Sequence, residues 1–118
     1  MKPITLDRHM LVDLYGGSYD DVRFILNDYL DKHDDIINSF REAYASGIEP
    51  LSKCAHRHSS SFSYIGVPEL TSACKNFEQE CKNAPDTSAV STQLEALLST
   101  IDQAAVLVKE ELKRLEKA

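Results

Sequence analysis

The chain has 118 residues and a mass of 13.2 kDa, which is enough for one domain and too little for two. It carries 13 Lys and Arg against 19 Asp and Glu, a net charge of −6 with a pI near 5.1, which excludes sequence-independent binding to nucleic acid or to an anionic membrane surface. Because the sequence has no apolar run near the ~20 residues of a membrane span, no apolar signal-peptide core after Met1 and only 3 cysteines, we expect a single cytoplasmic domain over residues 1–118.

Glycine and proline residues divide the first half of the chain into segments with helical periodicity. A short helix is predicted over residues 5–15, before a pair of glycines. A long amphipathic helix follows, with Ser18 as its N-cap and Gly47 as the glycine that ends it. The apolar or aromatic positions that recur along this helix are Val22, Ile25, Leu26, Tyr29, His33, Ile36, Ile37, Phe40 and Tyr44.

Three further helices are predicted in the second half of the chain. One begins after Pro50 and ends at Gly66, the next begins at Pro68, and Thr87 or Ser88 caps the last one. No segment alternates as a strand does, and short connections favour antiparallel neighbours. We therefore predict an all-α fold, an antiparallel up-down four-helix bundle with a short additional N-terminal helix.

The residues 53–66 carry the most chemical information. On a helix, His58 lies on the apolar stripe of this segment, whereas His56 is rotated by about 200° from it. A neutral imidazole offers one free ring nitrogen as a nucleophile, and nearby cations and hydroxyls can stabilise an added phosphoryl group. The residues predicted to share the outward face of His56 are Ser52, Lys53, Ser59, Ser60 and Ser63, with Arg57 beside it. From these residues alone, His56 is either an exposed nucleophile or an inert surface histidine.

Two other kinds of site fit this segment poorly. Cys54, His56 and His58 are residue types that bind zinc, but their spacing places His56 on the opposite side of the helix from the other two. The serines at positions 59–61 lack the G-x-S-x-G elbow of a hydrolase. We therefore expect neither a metal site nor a serine nucleophile.

Short matches along the chain point to one family. They are Leu6-Asp7, Leu14-Tyr15-Gly16-Gly17, Ala55-His56, Ser60-Ser61, Gly66, Val67-Pro68-Glu69-Leu70 and Phe77-Glu78. Together they resemble the histidine-containing phosphotransfer (HPt) domains of two-component phosphorelays, while the last helix matches in length and pattern only. The resemblance implies a four-helix bundle whose one exposed histidine carries phosphate between receiver-domain aspartates, or from a kinase to a receiver.

The resemblance also assigns roles to individual residues. His56 matches the phosphoacceptor, and Glu78 matches the polar residue that hydrogen-bonds the acceptor ring and orients it. Holding the Nδ1 proton in this way leaves Nε2 as the nucleophile. The residues expected to bind the phosphoryl group or the partner are Lys53, Arg57, Ser59 and Ser60, together with Phe24, which lies off the main stripe of its helix and serves either docking or packing.

The chain departs from the family at three neighbouring positions. The family usually has leucine in place of His58, lysine in place of Ser59 and glycine in place of Ser60. Without that lysine, Lys53 or Arg57 is the expected source of a cation near the phosphoryl group. The hydroxymethyl group of Ser60 either crowds the approaching partner or donates a hydrogen bond to it.

The sequence therefore predicts a monomeric phosphorelay intermediate. Its partners are a response-regulator receiver domain, a hybrid histidine kinase, or both. No Gly-rich phosphate cradle is visible, so we expect no kinase activity of its own and no cofactor, with magnesium on the receiver domain. The alternative is a non-catalytic helical interaction module, and the two hypotheses differ at His56, since transfer requires an exposed ring bonded to Glu78.

Overall fold

The computed structural model describes residues 4–117, and every regular element in that range is helical. The helices are α1 (Arg8–Leu14), α2 (Tyr19–Ser46), α3 (Ile48–Phe62), α4 (Pro68–Lys82) and α5 (Ser91–Glu116), with a 3-10 turn at Thr87–Val90. Packing runs in a closed cycle from α2 to α3, to α4, to α5 and back to α2, and α1 packs against α2. The predicted all-α class is confirmed, while residues 1–3 and 118 of the predicted domain lie outside the described residues.

Two of the helix boundaries follow from the residues that the sequence singled out. The Ser18 hydroxyl accepts a hydrogen bond from the Asp21 amide and caps α2. Gly47 has a φ of 137°, which favours glycine, and it both ends α2 and precedes α3 directly. As a result α3 starts at Ile48, three residues earlier than the prediction, and Pro50 lies in its first turn, where no amide donor is needed.

Three other boundaries differ from the prediction because of local caps. Helix α1 begins at Arg8, since the Asp7 carboxylate accepts a hydrogen bond from an amide of the first turn. Helix α3 ends at Phe62, and residues 63–66 form turns instead of a last helical turn. Asp86 accepts from an amide of the 3-10 turn, which delays the start of α5 to Ser91.

The core contains an aromatic cluster and all three thiols. Phe40 packs edge-on against Phe77, with ring centroids 6.5 Å apart. Cys54, Cys74 and Cys81 are buried and free. Burial raises the pKa of Cys74 to about 12 and that of Cys81 to about 11, so both thiols stay protonated near neutral pH. Within residues 4–117, no helix is both long enough and apolar enough to cross a bilayer.

The short helix α1 is fastened to the rest of the protein by polar contacts at both ends. The Asp7 amide donates to the carbonyl of Gly66 at 2.6 Å, and the Tyr15 hydroxyl donates to the carbonyl of Tyr64 at 2.8 Å. The Arg8 guanidinium bonds to Glu111 of α5. These contacts fix the turn that follows α3, and so they fix the end of the helix that carries His56.

Gly66 is the glycine that the turn after α3 most needs. Its φ is 79°, and a Cβ there would lie 3.0 Å from Leu11 Cβ and 3.3 Å from the Asp7 carbonyl oxygen. We expect Gly66→Ala to lower the free energy of unfolding by about 2–4 kcal/mol, because a left-handed backbone costs ~1–2 kcal/mol and overpacking adds to it. Urea unfolding measures this difference.

A matched control for this substitution is the glycine that follows the C-terminal end of α1. Gly16 also has a positive φ, 59°, but a Cβ there meets no atom within 4 Å. Gly16→Ala should therefore lose only the backbone part, about 1–2 kcal/mol. Equal losses in the two variants would show that the close approach of α1 to Gly66 does not matter.

Candidate functional site

The centre of α3 presents His56 to solvent. Ala55 on one side of it is fully buried, which anchors this turn of the helix in the core. The side chain of His56 is 76% exposed. A large part of the imidazole is therefore accessible to another molecule, as the helical pattern predicted.

One edge of the exposed ring is held by the neighbouring helix. Glu78 of α4 places Oε2 at 3.1 Å and Oε1 at 3.2 Å from His56 Nδ1. The Glu78 side chain is only 10% exposed. Since an ionised carboxylate can only accept hydrogen bonds, this contact requires a proton on Nδ1 and leaves the lone pair of Nε2 free on the opposite edge of the ring.

Glu78 also bonds to a cation that the sequence analysis missed. The ammonium group of Lys82, one helical turn further along α4, lies 3.0 Å from Glu78 Oε2. The hydrogen bond from Lys82 lowers the pKa of Glu78, burial opposes it, and the hydrogen bond from His56 lowers it further. The carboxylate is therefore ionised near neutral pH. A Glu–Lys pair four residues apart is the signal that would have identified Lys82.

The other predicted cations lie beside His56 on its own helix. Lys53 is exposed and forms an ion pair with Glu49 at 3.3 Å. Arg57 is exposed and lines a hollow between α2 and α3 together with Ala43, which places it on the side of α3 that faces α2. Neither cation is brought to Glu78 as Lys82 is.

Ser60 is exposed, as predicted, and so is Phe24, for which the sequence left docking and packing open. Ser60 lies one turn after His56 on the same face of α3. Phe24 on α2 is 72% exposed, so its ring is available for docking and does not take part in packing the core. Between α2 and α3 lies a groove of about 180 Å³, whose apolar walls include Ile25, Ile36 and the ring of Tyr64. Exposed apolar groups therefore lie on α2 and beside the end of α3.

The prediction that Ser59 shares the exposed face of His56 is wrong. Ser59 is only 5% exposed, and its hydroxyl donates a hydrogen bond to the carbonyl oxygen of His56 at 2.9 Å. A residue three positions after His56 is rotated by about 60° from it, and close packing of a neighbouring helix is enough to bury a side chain there. Its hydroxyl is therefore not presented to an incoming phosphoryl group.

His58 lies at the edge of the core, as its place on the apolar stripe predicted. Its ring centroid is 5.3 Å from that of Phe40 and 6.2 Å from that of Phe62. Burial, assisted by the charge of Arg57, lowers the pKa of His58, so the ring is neutral near pH 7. A neutral half-buried ring packed on aromatic side chains has a structural role and lacks the exposure that a phosphoacceptor needs.

The thiols and histidines of this region do not assemble into a metal site. In the range 4–117, no group of three or more His, Cys, Asp or Glu side chains is placed to hold a metal ion. Cys54 is buried in the core, whereas the His56 ring points outward. What the structure does bring together is an exposed imidazole, a buried carboxylate and an ammonium group, in that order.

Comparisons with known proteins show the family and the fold of the chain. Among models of protein families, the Hpt domain matches residues 25–117. The crystal structure of histidine-containing phosphotransfer protein B (HptB) from Pseudomonas aeruginosa PAO1 matches with a TM-score of 0.72 and 21% sequence identity, over 92% of this chain and 95% of that chain. At this identity the match shows a shared fold. A search among curated proteins gives no match for this chain.

Proposed function

We propose, from the membership of this chain in the Hpt domain family, that it is a phosphorelay intermediate with His56 as the phosphoacceptor. The family acts in phosphotransfer in two-component signalling. In this proposal His56 accepts a phosphoryl group from a receiver-domain aspartate or from a histidine kinase. It then passes the group to the receiver aspartate of a response regulator. The observation that carries the proposal is the exposed His56 ring held at Nδ1 by Glu78.

The proposed transfer step follows from the orientation of the ring. The lone pair of His56 Nε2 attacks phosphorus, forming an N–P bond while the bond between phosphorus and the aspartyl oxygen breaks. The aspartate leaves as a carboxylate, and the Nδ1 proton stays on the ring. The ring becomes cationic, and the Glu78 carboxylate, already bonded to Nδ1–H, stabilises that charge without moving. Transfer to the second receiver reverses these changes.

The local charge supports an anionic guest at this site. Residues 48–66, which include all of α3, carry a net charge of +1 in a chain whose net charge is −6. The dianionic phosphoryl group is therefore added to a segment that is slightly basic within an acidic chain. Since the described residues hold no candidate metal site, we propose that any Mg²⁺ required belongs to the acidic site of the receiver domain.

The surface around His56 supports docking of a receiver domain. The small side chain of Ser60 leaves room for a partner beside the imidazole ring. Phe24 offers an exposed aromatic contact on α2. Exposed apolar groups among polar side chains are typical of a protein interface. We propose that the protein acts in the cytoplasm as a monomer and binds its receiver or kinase through the face of α3 that carries His56. We further propose that its helices form one domain, with α2 to α5 as an antiparallel up-down four-helix bundle, and that it has no kinase activity of its own.

A labelling experiment tests the proposed function. The protein is incubated with phosphorylated candidate receivers, and the label it acquires is tested for stability in acid and in base. We expect a label that is lost in acid and retained in base, as for a phosphoramidate bond and unlike an acyl phosphate. If every receiver of the source organism fails to label the protein yet one of them binds it, the alternative of a non-catalytic interaction module is favoured.

A further inference from the structure

We propose that Lys82 is a positioning residue of the phosphotransfer site, which holds the Glu78 carboxylate in the orientation that keeps the proton on His56 Nδ1. This inference rests on the proposed function, in which Nε2 is the nucleophile. It assigns to α4 a lysine that the family resemblance did not point to. Lys82 acts through Glu78 and does not itself need to touch the phosphoryl group.

The contact distances define a chain of three groups. Glu78 Oε2 is 3.1 Å from His56 Nδ1 and 3.0 Å from Lys82 Nζ, so one oxygen accepts the hydrogen bond from the imidazole and forms the ion pair with the lysine. The Lys82 side chain is 53% exposed, whereas that of Glu78 is 10% exposed. The lysine therefore lies at the solvent edge of the site and the carboxylate beneath it, between the lysine and the imidazole.

A nearly buried carboxylate needs this second partner. An ionised carboxylate has about four lone-pair sites, and one neutral N–H cannot satisfy them. Without Lys82, the Glu78 carboxylate has to recruit water, and it turns toward solvent to do so. The bond to His56 Nδ1 then weakens, and the proton is free to move to Nε2. A ring protonated at Nε2 cannot attack phosphorus from that nitrogen.

The other cations near His56 do not meet this need. Lys53 forms an ion pair with Glu49, and Arg57 lines a hollow between α2 and α3 together with Ala43. The position where the family usually has lysine holds Ser59, which is buried. Among residues 4–117, the cation that the structure connects to the imidazole is Lys82, through a helix other than the one that carries the histidine.

The test compares Lys82→Met and Lys82→Arg with the native protein, and Lys75→Met serves as the matched control. Lys75 is exposed on α4 two turns before Lys82. Phosphoramidate is used as the donor, because it phosphorylates histidine with release of ammonia and needs no receiver docking. We expect Lys82→Met to accept the phosphoryl group about fivefold to tenfold more slowly, because Lys82 acts on the nucleophile only through Glu78 and so contributes only part of the energy of a charge-assisted hydrogen bond. Lys82→Arg should recover most of the rate, and Lys75→Met should stay within about twofold of the native rate.

Nuclear magnetic resonance gives a readout that a merely structural role would not change. In Lys82→Met, the ¹⁵N shifts of His56 should show a smaller fraction of the Nδ1–H tautomer, and the pKa of Glu78 should rise toward its ordinary value. An unchanged tautomer ratio and an unchanged rate would overturn the proposal for Lys82 while leaving His56 as the phosphoacceptor. A slower rate with an unchanged ratio would also overturn it, since Lys82 would then act on the donor directly.

The two proposals fail in different ways. If the native protein takes no label on His56 from phosphoramidate or from any receiver, the proposed function fails. In that case the tautomer ratio still reports whether Lys82 orients Glu78. If the native protein is labelled and Lys82→Met behaves like Lys75→Met in both measurements, only the role of Lys82 is refuted.

Discussion

Replacement of His56 by glutamine is expected to abolish phosphoryl labelling of the protein, while His58→Gln keeps the label. An amide nitrogen has no basic lone pair to attack phosphorus. His56→Gln therefore removes the nucleophile, and the reaction is abolished instead of being slowed. His58 is half-buried against Phe40 and Phe62, and its neutral ring contributes to packing. The measurement is the acid-labile label after incubation with a phosphorylated receiver, for each variant beside the native chain.

The controls for this pair of variants concern folding and docking. Since the His56 side chain is 76% exposed, His56→Gln should change the free energy of unfolding by less than about 0.5 kcal/mol. It should also bind the receiver with nearly native affinity, so the loss of label cannot be assigned to lost binding. The reverse pattern, label lost in His58→Gln and kept in His56→Gln, would move the site to His58. Label in both variants would move it to another residue altogether.

The geometry separates the two functional hypotheses more sharply than the fold does. An interaction module and a phosphotransfer domain can share the same helices, and an exposed histidine is common on either. A nearly buried carboxylate that contacts Nδ1 of that histidine with both oxygens is an arrangement that a plain binding surface does not need. Transfer by Nε2 requires the same contact. The bond to Glu78 therefore distinguishes the two hypotheses better than the exposure of His56 does.

Most of the fold could be predicted because its boundaries depend on single residues with strong local preferences. Ser18, Gly47 and Pro68 mark helix ends by capping, positive φ or a missing amide proton, and each acts within one turn of its own position. The starts of α1 and α5 were placed incorrectly because Asp7 caps α1 and Asp86 caps the 3-10 turn before α5, through side-chain bonds that compete with other nearby polar residues. Such competition is decided by loop geometry, which periodicity does not describe.

The site was predictable only as far as one helix determines it. The pattern around His56 fixed which way the ring points relative to its own helix axis, and the family resemblance supplied Glu78. The burial of Ser59 and the contact of the Glu78–Lys82 pair with His56 depend on where α4 lies beside α3. A helical wheel contains no information on that distance, so it placed Ser59 on the exposed face. The four-residue spacing pairs Lys82 with Glu78, but only the packing of α4 against α3 connects that pair to His56.

The second large effect is expected far from His56, at the carboxylate that joins α1 to α5. Glu111 is only 5% exposed and receives paired hydrogen bonds from two guanidinium groups. Arg8 of α1 contributes contacts of 2.9 Å, and Arg114 of α5 contributes one of 2.7 Å. Burial alone would raise the pKa of Glu111, but the hydrogen bonds from Arg114 and Arg8 outweigh it and lower the pKa to about 2.

Glu111→Gln should therefore lower the free energy of unfolding near pH 7 by about 2–3 kcal/mol, because the amide keeps the volume of the side chain but loses its charge. The native carboxyl has a lower pKa than in the unfolded chain, so its contribution is complete above about pH 4.5 and disappears as the pH falls toward 2. Urea unfolding at pH 7 and at pH 3 should show the gap between native and variant protein narrow by more than half. Glu110→Gln, the exposed neighbour, should show no such gap at either pH. A constant difference at both pH values would mean that Glu111 stabilises the protein by packing and not by its charge.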